Sequence, residues 1–401
     1  MSKVARKAGA IQGWMLIISS FLPIMGIVAL MPALPTLMRH FEYISNKQFI
    51  IPMLLTAPSL CIAFLAPIAG FLSDKFGRRR LLLIAMFLYG FGGVVPFFLD
   101  NFYLIVVGRF CLGISEAFIM TISYALFADY YSPEERRKWI SLQGGVTAIM
   151  GTLLILGSGY LASIGWQWPF AFYALAFPIF ILVYIYVWEP DLKHTPKLEN
   201  SVTESDGDVP WKIIALISFV TLATSILYFV YTIHYSLILD EDGLKDQTAI
   251  GWITAIASIF VSVGSFFYKK VASATIYSQL ILVFSLLGLG LVGVGLIHDY
   301  HWNILAACLQ QIGCGLTIPV LSGWSLYLLP VRHRGFGMGF WTCCLFLGQF
   351  LCPLVVASVN QISGSFSTSF VWFGTLCLCI GGGIIIYKLI FNNSGIPRAT
   401  N

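Results

Sequence analysis

Apolar runs of about twenty residues, set apart by short clusters of charge, proline and glycine, recur along this 401-residue chain. A helix rising 1.5 Å per residue needs about 20 residues to cross ~30 Å of hydrocarbon. Twelve runs reach that length. They predict helices over residues 12–38, 47–73, 80–98, 102–127, 138–163, 167–188, 211–239, 247–268, 274–296, 303–329, 335–361 and 366–391. The short alternating segments that mark a membrane β-barrel are absent. The pattern therefore predicts an all-α integral membrane protein with twelve transmembrane helices.

Composition agrees, with 58% hydrophobic and only 10% charged residues. Lys3, Arg6 and Lys7 precede the first run in the manner of a secretory signal. That run is too long and lacks a small-residue cleavage site, so it reads as an uncleaved span. With the N-terminus cytoplasmic, the inner loops and tails hold nineteen of the 23 Lys and Arg, against Arg39, Lys47 and Lys245 outside and Arg109 within a span. The positive-inside rule then places both termini in the cytoplasm of an inner or plasma membrane protein. The net charge of +5 is accounted for by topology, without a nucleic-acid partner.

The longest polar segment, EPDLKHTPKLENSVTESDGDVP, follows the sixth span. It predicts a cytoplasmic linker, 189–210, between six-helix halves at 1–188 and 211–401. Echoes between the halves agree: Gly70-Phe-Leu-Ser-Asp74-Lys75 is answered by Gly264-Ser-Phe-Phe-Tyr268-Lys269, and SPEERRK (Ser132 to Lys138) by LPVRHRG (Leu329 to Gly335). The nine cysteines all fall within apolar runs, as small packed hydrophobes do, and no Cys/His cluster has the spacing of metal ligands.

The most concentrated charge lies between the second and third spans, where GFLSDKFGRRR carries four basic residues and Asp74. Gly70 and Gly77 allow close backbone approach and a tight turn, and the arginines can bond an acid held at the membrane face. Gly70-x-x-x-Asp74-Lys75-x-Gly77-Arg78-Arg79 resembles the signature cytoplasmic loop of the major facilitator superfamily, with the right loop number, span count and central linker. Gly26 with Pro32-Ala-Leu-Pro35, and Arg109 with Gly113, resemble motifs of its twelve-span drug/proton antiporters; Asp129, Pro133 and Arg137, and Arg334-Gly335-x-Gly337, also match. The chain departs from that group in span five, which lacks the Gly-Pro pair, and at Leu112 and Glu116. The resemblance implies a latch that joins the two halves on the cytoplasmic side, formed by Gly70, Asp74, Gly77, Arg78, Arg79 and Asp129. For the basic residues, and for Arg80 above all, topology alone is the competing role.

An ionisable group at bilayer depth costs ~2.5–3.5 kcal/mol on insertion scales, so it needs a partner or a task. Arg109 and Glu116 stand nearly two turns apart on one face of span four, and Glu116 is the only acid deep within any span. They are the candidate proton-coupling pair. A structural ion pair, or snorkelling of Arg109, is the alternative. Thr221, Ser225, Tyr228, Thr232 and Tyr235 lie within about 40° of one direction on span seven and suit a substrate cavity wall, or equally helix packing by hydroxyls. Gln310, Gln311, Trp341 and Gln349 are further cavity candidates, with Trp324 beside them, and His234 is a second candidate titrating group.

No Gly-x-x-x-x-Gly-Lys-Ser/Thr loop is present to bind ATP, nor a catalytic triad or metal constellation, so an enzyme with a cofactor or resident metal is not expected. The expected partners are a small-molecule substrate, protons and the lipid bilayer, for a protein acting as a monomer. Three functions fit. The first is proton-coupled export of small, partly apolar compounds by alternating access. The second is proton-coupled import of an organic solute such as a siderophore or metabolite. The third is a transport-dead receptor, although neither tail nor linker is long enough to fold as an output domain.

Overall fold

The computed structural model describes residues 8–190, 209–330 and 333–391. Lys3, Arg6 and Lys7, most of the expected linker (191–208), Arg332 and Arg398 lie outside the described residues. Among the described residues all regular structure is helical, and twelve helical stretches are long and apolar enough to cross a membrane.

The helices are α1 (Ala10–Val28), α2 (Leu34–His40), α3 (Lys47–Phe76), α4 (Arg78–Phe98), α5 (Phe102–Tyr130), α6 (Pro133–Ile164), α7 (Ala176–Tyr186), α8 (Trp211–Glu241), α9 (Gln247–Val271), α10 (Ile276–Leu296), α11 (Tyr300–Leu328), α12 (Arg334–Ser363) and α13 (Phe366–Phe391). A 3₁₀ segment, Trp168–Leu175, leads into α7, so the expected sixth span is built in two pieces. The expected first span, 12–38, is broken as well. Leu30 N–H turns back to the Ile27 carbonyl at 3.1 Å. Pro32 then offers no N–H and keeps Met31 out of helix, and α2 restarts with Pro35 in its first turn. Elsewhere polar loop residues fix the starts: Asn101 accepts from Tyr103 N–H at 3.0 Å, Asp246 from Thr248 N–H at 2.9 Å and Asp299 from His301 N–H at 2.8 Å.

Two compact units form. The first comprises Met1–Leu30, Leu54–Leu154 and Gly165–Asp208. Within it α4 packs on α5, on the 3₁₀ segment and on α7, and α1 lies against α5 and α7. Leu22, Met86, Tyr89, Leu112 and Tyr173 are fully enclosed.

The second unit comprises Met31–Met53, Ile155–Ile164 and Val209–Asn401. Here α10 packs on α11 and α13, α9 on α11, and α8 on α12. Its early segments are tied in by polar contacts: Arg39 to Asp240 at 2.5 Å, Ser236 Oγ to the Met31 carbonyl at 2.8 Å, and Asn360 Nδ2 to Gln48 Oε1 at 3.2 Å. Gly159 and Gly251 bring α6 and α9 into backbone contact, a Cβ on Gly159 falling 2.7 Å from Gly251 Cα.

Candidate functional site

The centre of the first unit is built around two carbonyls that the backbone leaves without a helical donor. Leu54 in α3 lacks its partner four residues on because Pro58 stands there without an N–H. Gly26 in α1 lacks one because Leu30 N–H goes to Ile27. Arg109 of α5 supplies both. Its Nε donates to Leu54 O at 2.7 Å and its Nη2 to Gly26 O at 2.5 Å, while Nη1 donates to the Tyr173 hydroxyl at 2.7 Å. Tyr173 in turn donates to the same Gly26 carbonyl at 2.9 Å. Arg109 is fully buried, so it does not snorkel.

Glu116 stands two turns along α5, 2% exposed. Its carboxyl packs on the Cα of Gly26: a Cβ built there would fall 1.8 Å from Oε1. That oxygen is buried without a hydrogen-bond partner. Arg109 and Glu116 thus meet the same glycine, one through its carbonyl and the other through its Cα. Among the described residues they form no ion pair within 4 Å. The guanidinium is satisfied by carbonyls and a phenol instead, which leaves the carboxyl free to exchange a proton or meet a cationic group. Tyr173, the residue that completes this arrangement, has no signal in the sequence beyond its place in an aromatic run.

At one end of the same unit the charged loop is a closed network. Arg78 bonds Asp74 at 2.9 Å and also pairs with Asp129, whose side chain is 9% exposed against 62% for Asp74. Gly77 adopts φ +97°, a conformation that favours glycine, and so turns the chain into α4. Glu189 caps that turn, a residue the sequence reading left in the linker. Its two oxygens accept from Arg78 N–H at 2.6 Å and Arg79 N–H at 2.8 Å, where a helix N-terminus favours negative charge. Arg79 reaches the end of α7, donating to Val187 O at 2.6 Å and Tyr184 O at 2.7 Å. Gly70 is in looser contact, its nearest neighbour being Thr121.

In the second unit the span-seven stripe divides. Thr221, Ser225 and Tyr235 are buried, while Tyr228 and Thr232 are partly exposed. Ser225 donates to Leu345 O at 2.6 Å, against Gly348. Tyr235 stacks on Tyr231 one turn earlier, 4.4 Å between ring centroids. Gln310, Gln311 and Gln349 are buried, and Gln310 bonds Cys314 Sγ at 3.2 Å. Trp341 joins Ile214, Ile217, Leu321 and Leu329 in an apolar cluster, with Trp324 packed on it. His234 is buried over Phe366, with Nδ1 at 3.2 Å from Val230 O.

The family model described as Major Facilitator Superfamily matches residues 16–245 and 217–399. The quinolone resistance protein NorA of Staphylococcus aureus (strain MRSA252) is 24% identical over 368 residues, covering 88% of this chain and 90% of the relative. The bacillibactin exporter of Bacillus subtilis (strain 168) is 26% identical over 349 residues, covering 82% and 85%. A crystal structure of the nucleoside transporter NupG shares the fold at a TM-score of 0.73 and 12% identity, over 94% of this chain and 99% of that one.

Proposed function

Because the chain belongs to the Major Facilitator Superfamily, we propose that it is a secondary active transporter that exports small, drug-like or metabolite compounds in exchange for protons. Relatives named as a quinolone resistance protein and as a bacillibactin exporter support export over import. In this reading the protein works by alternating access, with the halves at 1–188 and 211–401 joined by the 189–210 linker and both termini in the cytoplasm. Asp74, Arg78, Asp129 and Glu189 form the latch on the cytoplasmic side.

One observation carries the coupling: a buried carboxyl, Glu116, has an oxygen without a partner, while all three nitrogens of Arg109 are hydrogen-bonded to other groups. Arg109 fixes α1, α3 and α5 about Gly26, and Glu116 takes up or gives up a proton as the surrounding helices admit or exclude water. A substrate bearing a cationic or donor group competes with that proton for the same carboxyl.

The test is transport by purified protein in sealed vesicles with an imposed pH gradient, using a fluorescent quinolone and bacillibactin as probes. Gradient-driven movement of either probe against its concentration, with counterflow of protons, supports the reading. Movement that ignores the pH gradient overturns proton coupling, and uptake in the direction of the protons overturns export.

A further inference from the structure

Three successive acids at the end of α8 each hold a different neighbour. Asp240 pairs with Arg39 of α2 at 2.5 Å and with Lys245 at 3.0 Å. Glu241 accepts from Ser367 N–H at 3.2 Å, in the first turn of α13. Asp242 pairs with His298 on the turn between α10 and α11, with Nδ1 at 2.8 Å from Oδ1. Arginine, lysine and a backbone N–H keep their charge near neutral pH, whereas an imidazole does not.

Asp242 depends on that imidazole. Its side chain is 6% exposed, against 67% for His298, and its Oδ2 is buried without a hydrogen-bond partner. It follows the last turn of α8, its N–H bonded to Ile238 O at 2.8 Å, where a helix end disfavours negative charge. Arg39 and Lys245 are taken by Asp240, so among the described residues His298 alone is ion-paired with Asp242. The other charged or titratable groups at these element ends are His40 on α2, Tyr235 two turns back on α8, Asp246 before α9, and Asp299, Tyr300 and His301 at the start of α11. The first turn of α13 carries no charge. The α10–α11 turn is braced within itself, Asn303 Nδ2 donating to Val294 O at 2.9 Å and Ile297 O at 2.6 Å, so it docks as one piece.

We propose that His298 and Asp242 form a pH-responsive clasp, which fixes the α10–α11 turn to the end of α8 while the imidazole is charged and loosens as it loses its proton. A neutral ring can still donate from Nδ1, but it no longer offsets a nearly enclosed carboxylate. The stability that the charge contributes is therefore present at acidic pH and lost as pH rises through the histidine range. The clasp is independent of Glu116; it rests on the proposed topology only for the side on which it senses pH, which is the outside.

Unfolding temperatures of the purified full-length protein at about pH 5.5 and about pH 8 test it. His298→Gln should lower the unfolding temperature by about 2–4 °C at the acidic pH, and by less than half as much at the alkaline one. In an Asp242→Asn background the same change should have no effect, and His301→Gln should leave the pH response of the parent intact. The second readout follows the turn itself. With the nine native cysteines replaced, a pH-insensitive, environment-sensitive fluorophore goes on Trp302→Cys, an exposed position one turn from His298. Its emission should shift when the buffer at the outer face of the protein in sealed vesicles is acidified, and should stay constant in His298→Gln. A response to the inner buffer alone would support the clasp and overturn the proposed orientation. Equal loss of stability at both pH values overturns the clasp, as does a loss undiminished by Asp242→Asn, or an emission shift that survives in His298→Gln.

Discussion

The Glu116 carboxyl occupies the space in which a side chain on Gly26 would begin, with Oε1 only 1.8 Å from the ideal Cβ position. Gly26→Ala must therefore move either the carboxyl or α1. Overpacking of this kind costs about 1–3 kcal/mol. The variant is expected to unfold several degrees lower and to lose proton-coupled transport together. Glu116→Ala in the same chain should recover the stability by clearing the space, without recovering coupling. Differential scanning fluorimetry of the three proteins decides; a Gly26→Ala protein as stable and active as the parent refutes the contact.

Arg109 serves two carbonyls without helical donors, so its removal is felt first as stability. Each buried acceptor left unsatisfied costs about 1–3 kcal/mol. The Tyr173 hydroxyl still serves the Gly26 carbonyl, so Arg109→Ala strands Leu54 O and should destabilise the protein by about 1–3 kcal/mol. Arg109→Lys keeps the charge but cannot reproduce the planar fork that reaches Leu54, Gly26 and Tyr173 at once, and it should recover less than half of the loss. Full recovery by lysine would show that charge alone matters. Pro58→Ala gives an independent check: it restores an N–H for Leu54 O, so Arg109→Ala should cost less in that background.

Much of this was legible in the sequence, for identifiable reasons. Span number and the ends of α13 follow from the length of apolar runs, since hydrocarbon thickness is a constraint on a single segment. Arg109 and Glu116 stand out because charge at that depth is costly wherever the helix packs. The break after Val28 was hidden inside an apolar run, although Pro32 and Pro35 mark it. Tyr173 and Glu189 were illegible, because their roles arise from contacts 64 and 111 residues away along the chain. The sequence gives no register between helices so remote.

The charged loop should respond unevenly to neutralisation. Asp129 is nearly enclosed and Asp74 mostly exposed, although both bond Arg78. Asp129→Asn is expected to cost about 1.5–3 kcal/mol, and Asp74→Asn under about 1 kcal/mol, with the exposed pair screened by solvent. Glu189→Ala, which strips the cap from α4, should cost about 1–2 kcal/mol. Chemical denaturation ranks the three. If Asp74→Asn proves the most destabilising, the burial argument fails. As members of the proposed latch, all three should slow transport even in membranes where folding is complete.

On span seven, partial exposure of Tyr228 and Thr232 separates them from the buried Thr221, Ser225 and Tyr235. With all nine native cysteines replaced, single cysteines at Tyr228 and Thr232 should react readily with a membrane-impermeant thiol reagent. Those at Thr221, Ser225 and Tyr235 should react at least tenfold more slowly. A rise in the slow group on adding transported probe would place those residues in a cavity that opens during turnover. Uniform protection of all five would assign the stripe to helix packing, as the Ser225 bond to Leu345 does for that one residue.

Glu116→Gln gives the sharpest test of coupling, because the carboxamide keeps the size of the side chain and removes only its ability to exchange a proton. The Oε1 contact with Gly26 involves no hydrogen bond, so the substitution should leave stability within about 1 kcal/mol of the parent. Transport driven by a pH gradient should vanish, while binding of the quinolone probe persists and loses its dependence on pH. The direct readout is proton release from purified protein on addition of probe, measured in weak buffer with a pH dye. About one proton per bound probe from the parent, and none from Glu116→Gln, is the result expected of the coupling acid. Equal release from both proteins would move the coupling elsewhere, with His234 the next group to change, and would leave Glu116 a packing partner of Gly26. Loss of binding along with proton release would make the carboxylate the contact on which probe binding chiefly depends, a role that Glu116→Asp should then partly restore.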